Sequence, residues 1–280
     1  MKNLVKKSFN KFIATKPRQN SSRFLPFTFC LLPLALLSAC SKTDPILPGT
    51  RIPVFGDSEI VVQGKTIPDS VLSAAIASKT TAPDTTRVFT QDSDNVIWEV
   101  SPDGARRKVF SGFPTISHVE TTRAPVCANG FVYAGLSTGE VVKIDSKTRE
   151  MKWAADIFKG SAMTGGGGIM DIVAPIVLDG KYVYAGGLGG AFCKIKDATG
   201  AKVWCNWIGV AVPFSVYGEL AFVIATDGNL YAINTNDGGI YWRAKTACTG
   251  APTLSNDATI VQCSSKKKSE RFSASDGKSL

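Results

Sequence analysis

The chain has 280 residues, 44% hydrophobic and 20% charged, long enough to bury a sizeable core as one repeat domain. Its formal charge of +9 suggests nucleic acid, but seven Lys/Arg and no acid lie within residues 1–39, leaving 25 basic against 23 acidic residues beyond them. A nucleic-acid partner is therefore excluded as the reason for the basic balance.

Residues 1–39 read as a secretory signal. A cationic start precedes an apolar run at 24–37, about 14 residues and too short for a comfortable membrane span. The run ends in Leu37-Ser38-Ala39-Cys40, which resembles a bacterial lipobox. Small residues before Cys40 suit a signal peptidase, and the thiol would accept a diacylglyceryl group before the new amino terminus is acylated. Several acyl chains give the stable anchoring that one does not. Ser41 follows, in place of the Asp that commonly retains lipoproteins on the inner membrane, so a lipid-anchored position on the periplasmic face of the outer membrane is expected.

Residues 40–83 read as a lipidated tether and lead-in segment. Asp44-Pro45 and Leu47-Pro48-Gly49 resist regular structure, whereas 51–55 and 59–62 each suit a short strand. The stretch DSVLSAAIAS at 69–78 suits one or two helical turns behind Asp69 as cap.

Residues 84–280 are repetitive. Turn pairs at Asp103-Gly104, Thr148-Arg149, Thr199-Gly200, Asp237-Gly238 and Asp276-Gly277 fall 45, 51, 38 and 39 residues apart. Pro83, Pro125, Pro175, Pro213 and Pro252 keep the same beat, and Trp153, Trp204 and Trp242 each lie four residues past a turn. Within each unit, runs such as FVYAG at 131–135, YVYAG at 182–186 and AFVIA at 221–225 are apolar at successive positions, as suits strands covered on both faces. Hairpin turns follow, then VVKI at 141–144, AFCKI at 191–195 and LYAI at 230–233. Gly200 and Gly238 suit turns needing positive φ, while Arg149 departs from that preference. About four short strands per repeat predicts an all-β fold: a β-propeller of four-stranded blades, about five repeats. The three Trp are assigned to packing between neighbouring blades.

After the leader's Cys30 and the lipidated Cys40, five cysteines remain: Cys127, Cys193, Cys205, Cys248 and Cys263. Two readings stand. Cys193 with Cys205 and Cys248 with Cys263 flank two hairpins and suit bridges that leave Cys127 free; buried thiols are the commoner state.

The pattern V-Y-x-G, G-x-V-x-x-I-D, T-G-x-x-x-W resembles the blade motif of PQQ-type β-propellers. Joined to the lipobox and to LPGTRIPV at 47–54, it resembles the BamB family of outer-membrane assembly lipoproteins, best over 121–246. That resemblance implies a non-enzymatic, eight-bladed periplasmic scaffold that binds a BamA-like outer-membrane assembly protein and assists β-barrel insertion. It also implies docking through loops just ahead of an Ala-Pro. The matching loop here is GGGGIMDIVA at 165–174, with Ile169, Met170 and Asp171 as candidate contacts; Met170 stands where the family carries an Arg. The alternatives are a generic ligand-binding or envelope-structural propeller lipoprotein and, from another class, a PQQ-dependent dehydrogenase. The dehydrogenases share the blade motif but resemble one another in a disulfide of adjacent cysteines, and this sequence has no Cys-Cys pair. No cofactor and no metal are expected. His118 is the one histidine, and in the Asp92-Ser-Asp94 stretch Val96 replaces the third ligand of a calcium loop.

The repeats fall short of eight. Lys108 stands four residues beyond Gly104, where Trp is expected, and the last repeat's Trp would be residue 281. Three outcomes are open: a lead-in strand completing the last blade, an arc completed by another copy or partner, or a shortened relative. An open or incomplete ring is the expected one, with an apolar face at its ends.

Overall fold

Short apolar strands separated by tight turns pair with their sequence neighbours, because a two- to five-residue turn leaves little other choice. In the computed structural model, residues 60–78, 80–119, 124–157, 169–266 and 268–280 are described. They form five antiparallel sheets, each a meander in chain order. Blade 1 holds β1 (Val88–Gln91), β2 (Val96–Val100) and β3 (Arg106–Ser111). Blade 2 holds β4 (Val126–Ala128), β5 (Phe131–Gly135), β6 (Glu140–Asp145) and β7 (Met151–Asp156). Blade 3 holds β8 (Val177–Asp179), β9 (Tyr182–Gly187), β10 (Ala191–Lys196) and β11 (Lys202–Asn206). Blade 4 holds β12 (Ser215–Tyr217), β13 (Leu220–Ile224), β14 (Asn229–Asn234) and β15 (Ile240–Lys245). Blade 5 holds β16 (Thr253–Leu254), β17 (Ile260–Ser264) and β18 (Ser269–Ser273). The fold is a β-propeller whose sheets do not close into a ring.

The middle blades are buried on both faces, β13 along its whole length. Apolar residues of consecutive sheets interleave: Tyr184, Phe192 and Trp204 of blade 3 pack with Ala221, Val223, Tyr231 and Ile233 of blade 4. Blade 5 differs from the expected apolar end face. In β17, Val261 and Cys263 face blade 4 while Gln262 and Ser264 are exposed. Alternation replaces the continuous apolar run, so the free side of blade 5 is polar, as in the terminal repeats of stacked arrays.

The lead-in segment decides one of the open alternatives. Val62 bridges Ile240 in parallel, so residues 60–63 extend blade 4 at β15 and do not complete blade 5. Beside β18, Ser279 pairs with Phe272 and the Leu280 N–H donates to the Arg271 carbonyl at 2.9 Å. The candidate strand at 51–55 and Cys40 lie outside the described residues. After the bridge comes α1 (Asp69–Ala77), with Leu72 and Ala75 buried among residues of blades 4 and 5. Pro68 occupies the N-cap and no side chain caps the helix; Asp69 sits in its first turn.

Both cysteine pairs are bridged, and Cys127 is free and buried. Cys193 and Cys205 face each other across β10 and β11, with Cα atoms 4.1 Å apart. Cys248 is not on a hairpin strand; it lies in the connector after β15 and ties that connector to Cys263 of β17.

Candidate partner-facing surface

The seams between blades share one device. Each blade's turn between its last two long strands offers a carbonyl three residues before the turn Gly position, and a side chain of the preceding blade donates to it. Trp153 Nε1 donates to the Asp197 carbonyl at 2.7 Å, Trp204 to Thr235 at 2.9 Å and Trp242 to Ala274 at 3.0 Å. The indole then lies against the turn Gly, where a Cβ would come within 2.9 Å of Trp153 at Gly200, 2.9 Å of Trp204 at Gly238 and 2.5 Å of Trp242 at Gly277. Packing therefore requires Gly there even before its positive φ is considered.

The seam between blades 1 and 2 is built differently, and Lys108 is not its Trp equivalent. The turn after β2 closes through Ser101 N–H to Ala105 O, one residue shorter than the Asp145 to Glu150 closure of blade 2. That shift pairs Arg107 with Glu99, as Trp153 pairs with Lys143. Glu99 binds Arg107 and Arg87, and Arg87 donates to the Ser146 carbonyl at 3.2 Å. The two guanidinium groups hold the Glu99 carboxyl below its ordinary range against the opposing effect of burial, which is the largest influence on it. With no indole beneath it, position 149 tolerates an Arg, at φ 64°.

A buried polar group reinforces the next seam. Lys143 Nζ lies 2.7 and 2.8 Å from the Asp197 carboxylate oxygens, and the Tyr133 hydroxyl donates to the same carboxylate at 2.7 Å. Burial, then the Asp197 contact, pushes the Tyr133 hydroxyl pKa well up. In blade 3 the matching Lys194 meets Thr235 instead: Nζ donates to its carbonyl at 2.9 Å and lies 3.8 Å from the Tyr182 ring centre, with burial lowering its pKa. These groups are spent on holding sheets together.

The described parts of the connectors between blades run at the opposite end from those turns. Their backbone bonds join the β5–β6, β9–β10 and β13–β14 hairpin tips: Ile172 N–H to Leu136 O, Leu188 N–H to Asp171 O, Val210 N–H to Gly187 O and Thr226 N–H to Gly209 O. Ile172 presses on Gly135 so closely that a Cβ there would stand 2.3 Å away, and Val210 does the same to Gly186 at 2.6 Å. The final Gly of the VYAG runs exists for this approach.

Of the candidate contacts, Ile169 is 42% exposed and Met170 is half-buried. Asp171 is fully buried and accepts the Val119 N–H at 3.1 Å, tying two connectors together; residues 165–168 lie outside the described residues. Sequence reasoning passed over three other connector residues: Phe113 at 80% exposure, the fully exposed Ile116, and Trp207 at 40%. Their signal was an apolar side chain in a segment outside the strand pattern. His118 Nδ1 lies 3.2 Å from the Thr115 carbonyl, a local turn contact. Among the described residues Cys248, Cys263 and Glu270 bring donor atoms within 4.8 Å of one another, but the two sulfurs are bonded together and leave no thiolate pair for an ion. No helix of the described residues is long and apolar enough to cross a membrane.

Comparison with known proteins places this geometry in a family. A curated relative, the outer membrane protein assembly factor BamB of Kangiella koreensis, is 23% identical over 136 residues, covering 49% of this chain and 35% of that protein. The crystal structure of BamB from Moraxella catarrhalis superposes with a TM-score of 0.53 at 17% identity, covering 72% of this chain and 62% of that one. A quinohemoprotein alcohol dehydrogenase of Comamonas testosteroni is similar at a TM-score of 0.45 and 15% identity, over 56% of this chain and 33% of its own. The chain thus spans about a third of the curated relative and under two thirds of the solved BamB. The family described as outer membrane protein assembly factor BamB matches at residues 63–244 and 194–280, and this chain belongs to that family.

Proposed function

We propose that the chain is a scaffold lipoprotein that assists assembly and insertion of β-barrel proteins into the outer membrane and performs no catalysis itself. The observation that carries this reading is a BamB-family propeller whose connectors expose Phe113, Ile116, Ile169 and Trp207 at one end. Large apolar side chains held out by a rigid sheet framework are anchors for a protein partner. The partner is a BamA-like outer-membrane assembly protein. Ile169 supplies apolar contact, Met170 flanks it, and Asp171 acts from within by fixing the connector's path. Lipidation at Cys40 anchors the chain to the periplasmic face of the outer membrane.

Co-purification from detergent-solubilised membranes tests the reading. The wild-type chain retains the assembly protein, and Ile169→Glu, on a surface that tolerates charge, reduces the yield at least fivefold. Reproducible absence of the partner with the wild-type chain overturns the assignment. Cys40→Ser is expected to release the protein from membranes, and full retention of that variant counts against the anchor.

A further inference from the structure

The lead-in segment touches all five blades. Gln63 and Lys65 donate backbone N–H groups to Ile240 and Tyr241 of blade 4, and Ile67 donates to Ser275 of blade 5. Ser78 lies against Gly218 of blade 4. Thr81 N–H donates to the Leu178 carbonyl of β8 at 2.8 Å, and Asp84 N–H to the Cys127 carbonyl of β4 at 2.7 Å. Arg87 reaches Ser146 of blade 2 before the chain enters β1.

Leu178 and Cys127 hold equivalent places. Each pairs with the second residue of the following strand, Val183 and Val132, and each turns its other backbone edge to residues 80–86. Because β4 and β8 are the first strands of their sheets, these edges have no further sheet neighbour, and residues 80–86 take that place. An unpaired strand edge is a template for adventitious pairing, so covering it has a clear purpose.

The cover is lightly held. Thr80, Ala82, Pro83, Thr85 and Thr86 are exposed, whereas Cys127, Ala128 and Leu178 of the strands beneath are buried. Asp84 turns back on Thr86, accepting its N–H at 2.9 Å. A segment fixed chiefly by backbone bonds with few buried side chains opens far more readily than the sheets it lies on.

We propose that residues 80–86 are a releasable latch: seated, they cover the inner edges of β4, where Cys127 lies, and of β8, and released, they expose both edges while the five sheets stay folded and Arg87 keeps its hold on Glu99 and Ser146. Cys127 is the natural reporter. It is 3% exposed, beside Asp84 and Arg87, and burial pushes its thiol pKa up.

The test is labelling by N-ethylmaleimide in the full chain carrying Cys30→Ser and Cys40→Ser, where the two disulfides leave Cys127 as the one free thiol. Labelling in native buffer should depend only weakly on added denaturant. Asp84→Pro, which removes the N–H that bonds Cys127, should label about tenfold faster with an unchanged near-ultraviolet circular dichroism spectrum. Labelling that rises in parallel with global unfolding, or a folded Asp84→Pro that labels at the parent rate, overturns the proposal. If Asp84→Pro does not fold, amide exchange on the parent chain decides. Thr81 and Asp84 should exchange with a shallow denaturant slope while Val132 and Val183 exchange only on global unfolding; one common slope overturns the latch.

Discussion

Replacing Gly200 by Ala isolates the contact that sets the blade seams. Gly200 has φ 73°, and its added Cβ would stand 2.9 Å from the Trp153 ring. Left-handed backbone at a residue bearing a Cβ costs about 1–2 kcal/mol. Overpacking against a confined ring adds about 1–3 kcal/mol, for a total of roughly 2–5 kcal/mol. Gly190 supplies the control, with φ 88° and nothing within 4 Å of a built Cβ, so Gly190→Ala bears the backbone part alone. Trp153→Ala should cost about 3–5 kcal/mol through the emptied seam. In the double variant the ring that meets the new methyl is gone, so the combined loss should fall short of the sum by about the overpacking share, 1–3 kcal/mol. Urea midpoints for the four chains give every corner of the comparison. Equal losses for Gly190→Ala and Gly200→Ala, or strict additivity with Trp153→Ala, would refute the idea that the indole dictates Gly at the turn.

Two further outcomes follow from the same seams. Arg149→Gly should stabilise the chain by about 1 kcal/mol, because φ 64° is strained for Arg and no indole lies against that turn; a loss on thermal melting would contradict it. Alkaline pH should destabilise the fold. Burial pushes the Tyr184 and Tyr231 hydroxyls up to about 12, for Tyr231 with help from Asp227, while the unfolded chain's phenols ionise near 10. Above pH 10 the unfolded state therefore holds fewer protons than the folded one, and stability present below pH 10 is lost as pH rises towards 12. Tyr184→Phe, for which Phe222 at the matching place in blade 4 is a precedent, should shift the alkaline melting midpoint upward, read by circular dichroism from pH 9 to 12.

The repeat was legible because everything it needs is local. Short apolar runs such as AFVIA make strands, tight turns force neighbours to pair, and burial on both faces shows as an absence of alternation. The same logic placed α1, though its cap is Pro68 and not Asp69. The ring's incompleteness was readable too, from the count of turns. Counting residues misassigned the first seam. A turn one residue shorter moves every later side chain to the other face, so Arg107 and not Lys108 pairs with Glu99, and Arg87 makes the contact with blade 2.

On the candidate surface, Ile169 was found through its place before an Ala-Pro, but no local pattern separates an exposed connector residue from a buried one. Asp171 and Ile169 are two residues apart, and only the path of the connector turns one inward and the other out. The sequence by itself determined strand positions, turn types and the number of sheets, since these depend on neighbours within a few residues. Tertiary structure alone decided the two disulfides, the polar free side of blade 5 and the course of the lead-in segment over five blades. Each joins groups separated by a turn, a strand or most of the chain, and pairing at such distances is fixed by which surfaces meet when the sheets stack. The Trp-to-Gly seams stand between the two cases. Their residues repeat audibly in the sequence, but the reason Gly follows Trp from one blade to the next is a contact made only across the seam.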